Sequence, residues 1–150
     1  MTKKEDKMNK DKFWEIVEKL NYGNDFNDER CGEELVEIMK NKEIQEMEEF
    51  IRIFNKLYME LEVRMDLMLF ENDMDYSEHI GCSDDELNDL LSHIIGMKKE
   101  EYARCYENIE NIIEHANGPF QTIEGYSENF GYSLHSLYDL IDEIKKRRIK

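Results

Sequence analysis

Hydrophobic residues recur at intervals of three and four along most of the chain, the spacing of one face of an α-helix. The longest such stretch runs from residue 43 to about 70 without a glycine or proline, and it predicts one long central helix. No segment shows the period of two that is typical of a strand. We therefore predict an all-α fold, a single compact domain of about six helices over residues 1–150, with residues 1–9 as a charged flexible tail. The other predicted helices cover about 9–20, 28–40, 83–95, 98–116, with a break near Asn108, and 133–148.

The end of the long helix carries apolar residues in succession, Leu-Met-Leu-Phe at positions 67–70. Because they point in every direction around the helix, we predict that this section lies deep in the core. Methionine is flexible enough to serve an adaptable recognition surface, but its helical spacing here favours a place in the core. The methionines concerned are Met59, Met65, Met68 and Met74.

The helix that follows has clear start and stop signals. Ser83 is followed three residues later by Glu86, the spacing of a capping box, in which each side chain binds the other residue's backbone N–H. Carboxylates in a first helical turn also meet the positive end of the helix dipole. Gly96 follows the last apolar residue, so we predict it as the glycine just past the helix end.

Acidic residues dominate the middle of the chain. There are 36 Asp and Glu against 20 Lys and Arg, a formal net charge of −16. Because basic residues concentrate at the two ends, residues 13–144 hold 33 acids and ten bases, a formal charge of −23. Residues 65–97 and 105–144 contain no Lys or Arg. Such a body repels nucleic acid and anionic membranes, and it favours a basic protein partner.

Several further classes of protein are disfavoured by what the chain contains. No run of apolar residues approaches the roughly 18 that a membrane span needs. The charged N-terminus, Met1 to Lys12, has no apolar stretch typical of a signal peptide. The cysteines are an odd number, widely spaced and without a CxxC pair, which favours a reduced, cytoplasmic setting. They are Cys31, Cys82 and Cys105.

An acidic connector at residues 71–81 raises the question of calcium. Asp73, Asp75, Ser77, His79 and Asp84 stand at offsets 1, 3, 5, 7 and 12 of a loop. An EF-hand has glycine at offset 6 and glutamate at offset 12, where this chain has glutamate and aspartate. A solvated acidic turn that leads into a capped helix explains the connector better.

Zinc and acid–base chemistry are two further alternatives. His79 and Cys82 have ligand-like spacing, but no second close pair accompanies them, and Cys105 lies on the apolar stripe of its helix. We therefore expect no metal and no cofactor.

Asp84, Asp85 and Asp89 with His93 could form an acid–base group, although capping explains the first two and His93 falls on a polar face. No nucleophile elbow, Walker loop or GxGxxG loop occurs, so we do not expect an enzyme. The complete set of zinc candidates is His79, Cys82, His93, Cys105 and His115.

Two stretches of sequence resemble an uncharacterised bacterial family, domain of unknown function 4240. They are Phe13-Trp14-Glu15-Ile16-Val17-Glu18 and Gly81-Cys82-Ser83-Asp84-Asp85, the latter followed by an apolar helix, Gly96 and Tyr102. Asn55-Lys56-Leu57-Tyr58 and a late Gly-Tyr pair, Gly125-Tyr126 or Gly131-Tyr132, fit as well, so the resemblance covers roughly residues 12–140. The chain departs from the family after the Asp pair, where residues 87–95 lack the family's Arg and Trp. The resemblance implies a fold and an intracellular bacterial setting, without an activity.

Small size, the acidic body and the absence of catalytic motifs favour a protein-binding module, an immunity-type or inhibitor protein that blocks a basic partner such as a toxin nuclease. The alternatives are a small-ligand-binding protein or enzyme with its site at the helix start Ser83–Asp85, and a housekeeping helical domain. The oligomeric state stays open. The predicted interaction face has Tyr76 as an aromatic anchor among acids: Asp73, Asp75, Tyr76, Glu78, Asp84, Asp85 and Asp89.

Overall fold

The segments with helical periodicity form helices in the structure, a computed structural model that describes residues 7–25, 27–81, 83–117 and 130–149. Within those ranges every regular element is helical, which confirms the predicted all-α class. No described helix has the length and apolar character that a membrane crossing requires. The helices are α1 Lys10–Leu20, α2 Tyr22–Asp25, α3 Asp28–Met39, α4 Ile44–Glu71, α5 Tyr76–His79, α6 Asp84–Met97, α7 Lys99–Glu107, α8 Ile109–Asn117 and α9 Ser133–Ile149, with a 3₁₀ turn at Phe130–Tyr132.

There are more helices than the six or so that the pattern predicts, for two reasons. Two of them, α2 and α5, are single turns of four residues, too short to show a periodicity. The break expected near Asn108 is also present, and it divides one apolar stripe between α7 and α8. Asn108 has an extended backbone (φ −141°, ψ 119°), and its side-chain oxygen accepts a hydrogen bond from Glu110 N at 2.9 Å. One residue thus ends α7 and caps the start of α8.

Asparagine and serine side chains cap the starts of α1, α3 and α6, whereas the longest helix, α4, begins after Glu43 without a side-chain cap. Asn9 accepts from Lys12 N at 2.9 Å, and Asn27 accepts from Arg30 N at the same distance. The capping box predicted at Ser83 is present: its hydroxyl accepts from Glu86 N, and Glu86 accepts from Ser83 N. Met8, at the end of the segment expected to be a tail, is buried, and residues 1–6 lie outside the described part of the chain.

Helix α4 is the element against which most others pack. Helices α1, α6, α7, α8 and α9 all contact it, and its buried side chains join those of its neighbours in one continuous apolar core. Aromatic rings fix one of these contacts, and a second ring pair joins α1 to α7. Phe13 of α1 packs on Phe50 of α4 with ring centroids 4.7 Å apart, and Trp14 packs on Tyr102 of α7 at 5.5 Å. The hydroxyl of Tyr102 donates to the Leu57 carbonyl at 2.9 Å, which ties α7 to α4.

The prediction that Gly96 lies just past the end of its helix is wrong. Helix α6 continues to Met97, and Gly96 lies within it because the ring of Phe130 occupies the place of a side chain. A Cβ at position 96 would stand 2.5 Å from both Cβ and Cγ of Phe130. Glycine is therefore required here for close packing rather than for termination.

We predict that Gly96→Ala destabilises the fold by about 1–3 kcal/mol, because the added methyl overpacks the core against atoms close to the Phe130 backbone. This loss outweighs the roughly 1 kcal/mol by which alanine is favoured over glycine inside a helix. Urea unfolding followed by far-UV circular dichroism measures it. Gly23→Ala is the matched control, since its Cβ would come closest to the flexible end of Met97, at 3.3 Å, and the backbone atom nearest to it would be 3.8 Å away. Equal stability of the Gly96 variant and the wild type would contradict the packing argument.

Candidate functional site

Part of the predicted interaction face forms a short acidic segment between α4 and α6. Asp75 caps the single turn α5, where its carboxylate accepts from Ser77 N at 2.9 Å. Asp73, Asp75 and Glu78 are exposed, and Asp73 adopts a left-handed backbone (φ 52°). Tyr76, expected to be the aromatic anchor, is half-buried against the core. The segment therefore presents carboxylates to solvent while its tyrosine packs inward.

The remaining members of the predicted face separate from this segment. The side chains of Asp84 and Asp85 lie outside the described part of the structure. Asp89, farther along α6, is half-buried and lines a cleft against α4 and α9. At the helix start proposed as an alternative site, Ser83 and Glu86 are occupied in capping each other.

An exposed apolar stripe on α4 precedes the acidic segment, and the hydrophobic pattern of the sequence does not reveal its exposure. Phe70 is 84% exposed, so the prediction that the end of α4 is buried on every side is wrong. Met65 and Met68 are buried, as their spacing favours, but Met59 is not. Exposed residues separated by four, four and three positions share one face of a helix. We call this face the α4 stripe: Met59 (63% exposed), Val63 (66%), Leu67 (46%) and Phe70.

Acidic residues accompany the α4 stripe along its length. Residues 59–71 contain four acids and a single base, Arg64. That base is engaged beside the stripe, because its Nε donates to the Tyr106 carbonyl at 2.8 Å and its guanidinium lies 5.5 Å from the centre of the Tyr106 ring. The stripe then leads directly into Asp73, Asp75 and Glu78. Exposed apolar side chains and exposed acids therefore follow one another directly along this part of the chain.

A polar cleft of about 590 Å³ opens between α4, α6 and α9. Asp89 lines it together with two tyrosines, Tyr58 and Tyr138. Burial, together with the nearby charges of Glu62 and Asp89, raises the pKa of the Tyr58 hydroxyl above its ordinary value. The other residues that line the cleft are Phe54, Asn55, Asn88, Ser92, Gly131, Leu134 and His135.

A row of polar side chains, most of them buried, runs from Tyr22 through His93 and His115 to Glu101. Tyr22 and His93 are joined by a hydrogen bond of 3.0 Å between the hydroxyl and Nδ1. The rings of His93 and His115 meet edge to face, 5.5 Å apart, and His115 Nε2 lies 2.7 Å from Glu101 Oε2. The prediction that His93 lies on a polar face is wrong, because the ring is fully buried. Burial, with the neighbouring His115, lowers the pKa of His93 from 6.5 to about 3.

Two of the five zinc candidates come together at the end of this row. Cys105 Sγ lies 3.8 Å from Glu101 Oε2, and the ligand atoms of Glu101, Cys105 and His115 all lie within 4.8 Å of one another. Among the described residues no other set of three metal-ligating groups is that close. His79 is in α5 with its Nδ1 2.9 Å from the Asp75 carbonyl, and Cys82 lies outside the described residues. Glu101 was missed because it looks like an ordinary acid in the first turn of α7.

Residues 8–139 match the protein family described as protein of unknown function (DUF4240), and the chain belongs to that family. This confirms the resemblance drawn from the sequence. No curated protein and no solved structure matches the chain significantly. The residues that carry the resemblance are distributed unevenly in the fold. Phe13 lies in the core, whereas Asn55, Tyr58 and Gly131 line the cleft, and Gly125-Tyr126 lies outside the described residues.

We predict that stability falls as pH falls below about 6.5, because His93 stays neutral in the fold but takes up a proton when the chain unfolds. For one histidine this costs about 2 kcal/mol between about pH 7.5 and about pH 5. Urea unfolding at the two pH values measures the loss in the wild type and in His93→Gln, whose amide can still bond Tyr22. The variant should lose about 2 kcal/mol less than the wild type. The same loss in both proteins would show that His93 does not carry the effect.

Proposed function

We propose that this chain is a protein-binding module that occupies a basic partner, in the manner of an immunity protein or inhibitor that blocks a cationic site such as that of a toxin nuclease. One observation carries the proposal. The α4 stripe exposes four large apolar side chains in a row and continues into exposed carboxylates. A protein surface of this kind is typical of an interface, with an apolar centre and a charged rim.

The charge of the chain supports a basic partner. A net charge of −16 produces a long-range field that attracts cations and accelerates the encounter with a basic surface. The same charge disfavours a second copy of the chain as the occupant of the stripe. Pairing two α4 stripes would bring the acids that flank one stripe, such as Asp66 and Glu71, close to the acids of the other, and like charges at an interface cost several kcal/mol.

Phe70 is the side chain best placed to anchor the partner. It is the most exposed large apolar residue of the described chain, and it stands where the apolar stripe meets the acidic segment. Aromatic residues contribute most to binding when a partner's pocket covers them and surrounding polar contacts exclude water. Asp73, Asp75 and Glu78 are positioned to supply those polar contacts.

A reduced, cytoplasmic setting forms part of the proposal. Cys31 and Cys105 are both free and buried in the fold. Burial raises the pKa of the Cys31 thiol to about 11, so this thiol stays protonated and unreactive. Structural thiols of this kind are typical of proteins that fold in a reducing compartment.

We predict that the double variant Val63→Ser with Phe70→Ser loses affinity for a basic amphipathic helix by at least about tenfold, since it removes two apolar anchors. The probe is a labelled synthetic peptide of leucine and lysine, and its binding is measured by fluorescence anisotropy. A leucine–glutamate peptide of the same pattern should not bind. The fold should keep its stability to within about 0.5 kcal/mol, because both replaced side chains are exposed.

Tyr138→Ser is the matched control, because Tyr138 is an exposed aromatic residue on α9, outside the stripe. This variant should bind the basic peptide like the wild type. The proposal fails if the double variant binds as tightly as the wild type, which would leave unspecific charge attraction as the only force. Binding of the acidic peptide would contradict it equally.

The cleft between α4, α6 and α9 favours a second candidate function, the binding of a small organic cation. Asp89 supplies a carboxylate there, and Tyr58 and Tyr138 supply aromatic faces, the groups that recognise ammonium and guanidinium ions. A volume of about 590 Å³ lies within the ordinary range of small-molecule sites. This differs from the ligand site expected at Ser83–Asp85, because the cleft lies farther along α6.

We predict that Asp89→Asn weakens the binding of an alkylguanidinium or an alkyl diamine by about tenfold or more, because a charge-assisted bond of about 1.5–3 kcal/mol is lost. Calorimetric titration measures the affinity, with an alkyl carboxylate as the ligand control. Asp66→Asn, an exposed acid of α4 outside the cleft, should have no effect. Failure of the wild type to bind either cation would eliminate this second function.

A further inference from the structure

Three different donor groups meet where α8 folds back on α7. Glu101 and Cys105 are four residues apart on α7 and so lie on one face of that helix. His115 reaches them from α8, on the other side of the break at Asn108. Glu101 Oε2 is the shared point, 2.7 Å from His115 Nε2 and 3.8 Å from Cys105 Sγ.

The burial of these three groups distinguishes them from an ordinary ion pair on the surface. Cys105 is fully buried and His115 is 7% exposed, whereas the side chain of Glu101 is 20% exposed. The donors are therefore shielded from bulk water, and Glu101 provides a path by which an ion can enter. Arg104 donates to Glu101 Oε1 at 2.6 Å, which fixes the carboxylate and leaves Oε2 directed at the other two donors.

The electrostatics of this cluster are unfavourable for a buried thiolate unless a cation is present. Burial, and then the neighbouring Glu101, raise the pKa of the Cys105 thiol to about 12. Burial alone would also raise the pKa of Glu101, but hydrogen bonds from His115 and Arg104 lower it below its ordinary value. A divalent cation between the carboxylate and the sulfur would neutralise both negative charges at once.

We propose that Glu101, Cys105 and His115 form a binding site for a single zinc ion. The donor set of one nitrogen, one sulfur and one oxygen suits Zn²⁺, while Ca²⁺ and Mg²⁺ select oxygen donors. In a tetrahedral zinc site a nitrogen and an oxygen ligand stand about 3.4 Å apart, and a sulfur and an oxygen about 3.6 Å. The sulfur–oxygen spacing is near that value already, and the His115–Glu101 pair needs to open by less than about 1 Å.

On binding, the Cys105 thiol releases its proton to solvent as the zinc–sulfur bond forms, and a water molecule completes the tetrahedron. No oxidation or reduction takes place. The ion would replace the hydrogen bond between His115 and Glu101 with bonds to both. The proton that His115 Nε2 shares with Glu101 leaves to solvent, the ring carries its proton on Nδ1, and α8 is held against α7. Because protons compete with zinc for the Cys105 sulfur, the affinity for zinc should decrease as the pH is lowered.

The experiment is a titration of the purified, metal-free full chain with Co²⁺, a spectroscopic substitute for Zn²⁺, followed by displacement with Zn²⁺. We expect one Co²⁺ per chain, with a thiolate charge-transfer band and the visible absorption of a tetrahedral ion. Cys105→Ser should abolish the charge-transfer band. It should also weaken zinc binding by more than about 100-fold, because removing even an outer partner of a ligand costs 10–100-fold.

Cys31→Ser is the matched control. Cys31 is on α3 and is equally buried, but its sulfur lies 3.6 Å from the Leu20 carbonyl oxygen and not in this cluster. This variant should keep the band and the affinity. Glu101→Gln is a second test with little risk to folding, because its side chain is partly exposed, and it should weaken zinc binding while leaving the circular dichroism unchanged. The proposal is overturned if the wild type shows no thiolate band. It is overturned equally if Cys105→Ser and Glu101→Gln bind zinc like the wild type, which would place the ion on the acidic surface.

Discussion

The length of α4 constrains the rest of this fold. Its 28 residues extend about 42 Å, slightly more than the diameter of about 38 Å of a compact sphere with the radius of gyration, about 15 Å, expected for this chain length. Neighbouring helices therefore cannot enclose α4 on all sides from one end to the other. They cover one face along its whole length, from Ile44 to Leu69, and leave the opposite face to solvent. The exposed residues of that face are polar in the first half of the helix and mainly apolar in the second half.

Both candidate surfaces arise from this one helix. Its uncovered face is the α4 stripe, and another part of its circumference, with Asn55 and Tyr58, forms a wall of the cleft. The two surfaces differ in what they offer a partner. The stripe presents apolar area beside negative charge and fits a macromolecule, whereas the cleft is small and polar. The acidic segment after Phe70 is where the chain leaves α4, so its position is also set by the end of that helix.

The longer helices were predictable because each obeys a local rule. Apolar periodicity, the Ser83–Glu86 capping box and the break at Asn108 depend on residues close together in sequence, and all three are present. Features that depend on a distant partner were not predictable. Gly96 is needed because Phe130 packs against its Cα, and His93 can be buried because the Tyr22 hydroxyl forms a hydrogen bond with its Nδ1. The exposure of Phe70 depends on which neighbours fail to cover it, and no local pattern encodes that absence.

The break at Asn108 brings together two side chains that a continuous helix would hold far apart. In one continuous helix the 14 residues from Glu101 to His115 would span about 21 Å. The break brings the two side chains into direct contact instead. Their meeting therefore depends on the register of α8 as much as on the residues themselves. Adding or deleting one residue at this break would rotate α8 by about 100° and carry His115 away from Glu101, although every side chain involved would still be present.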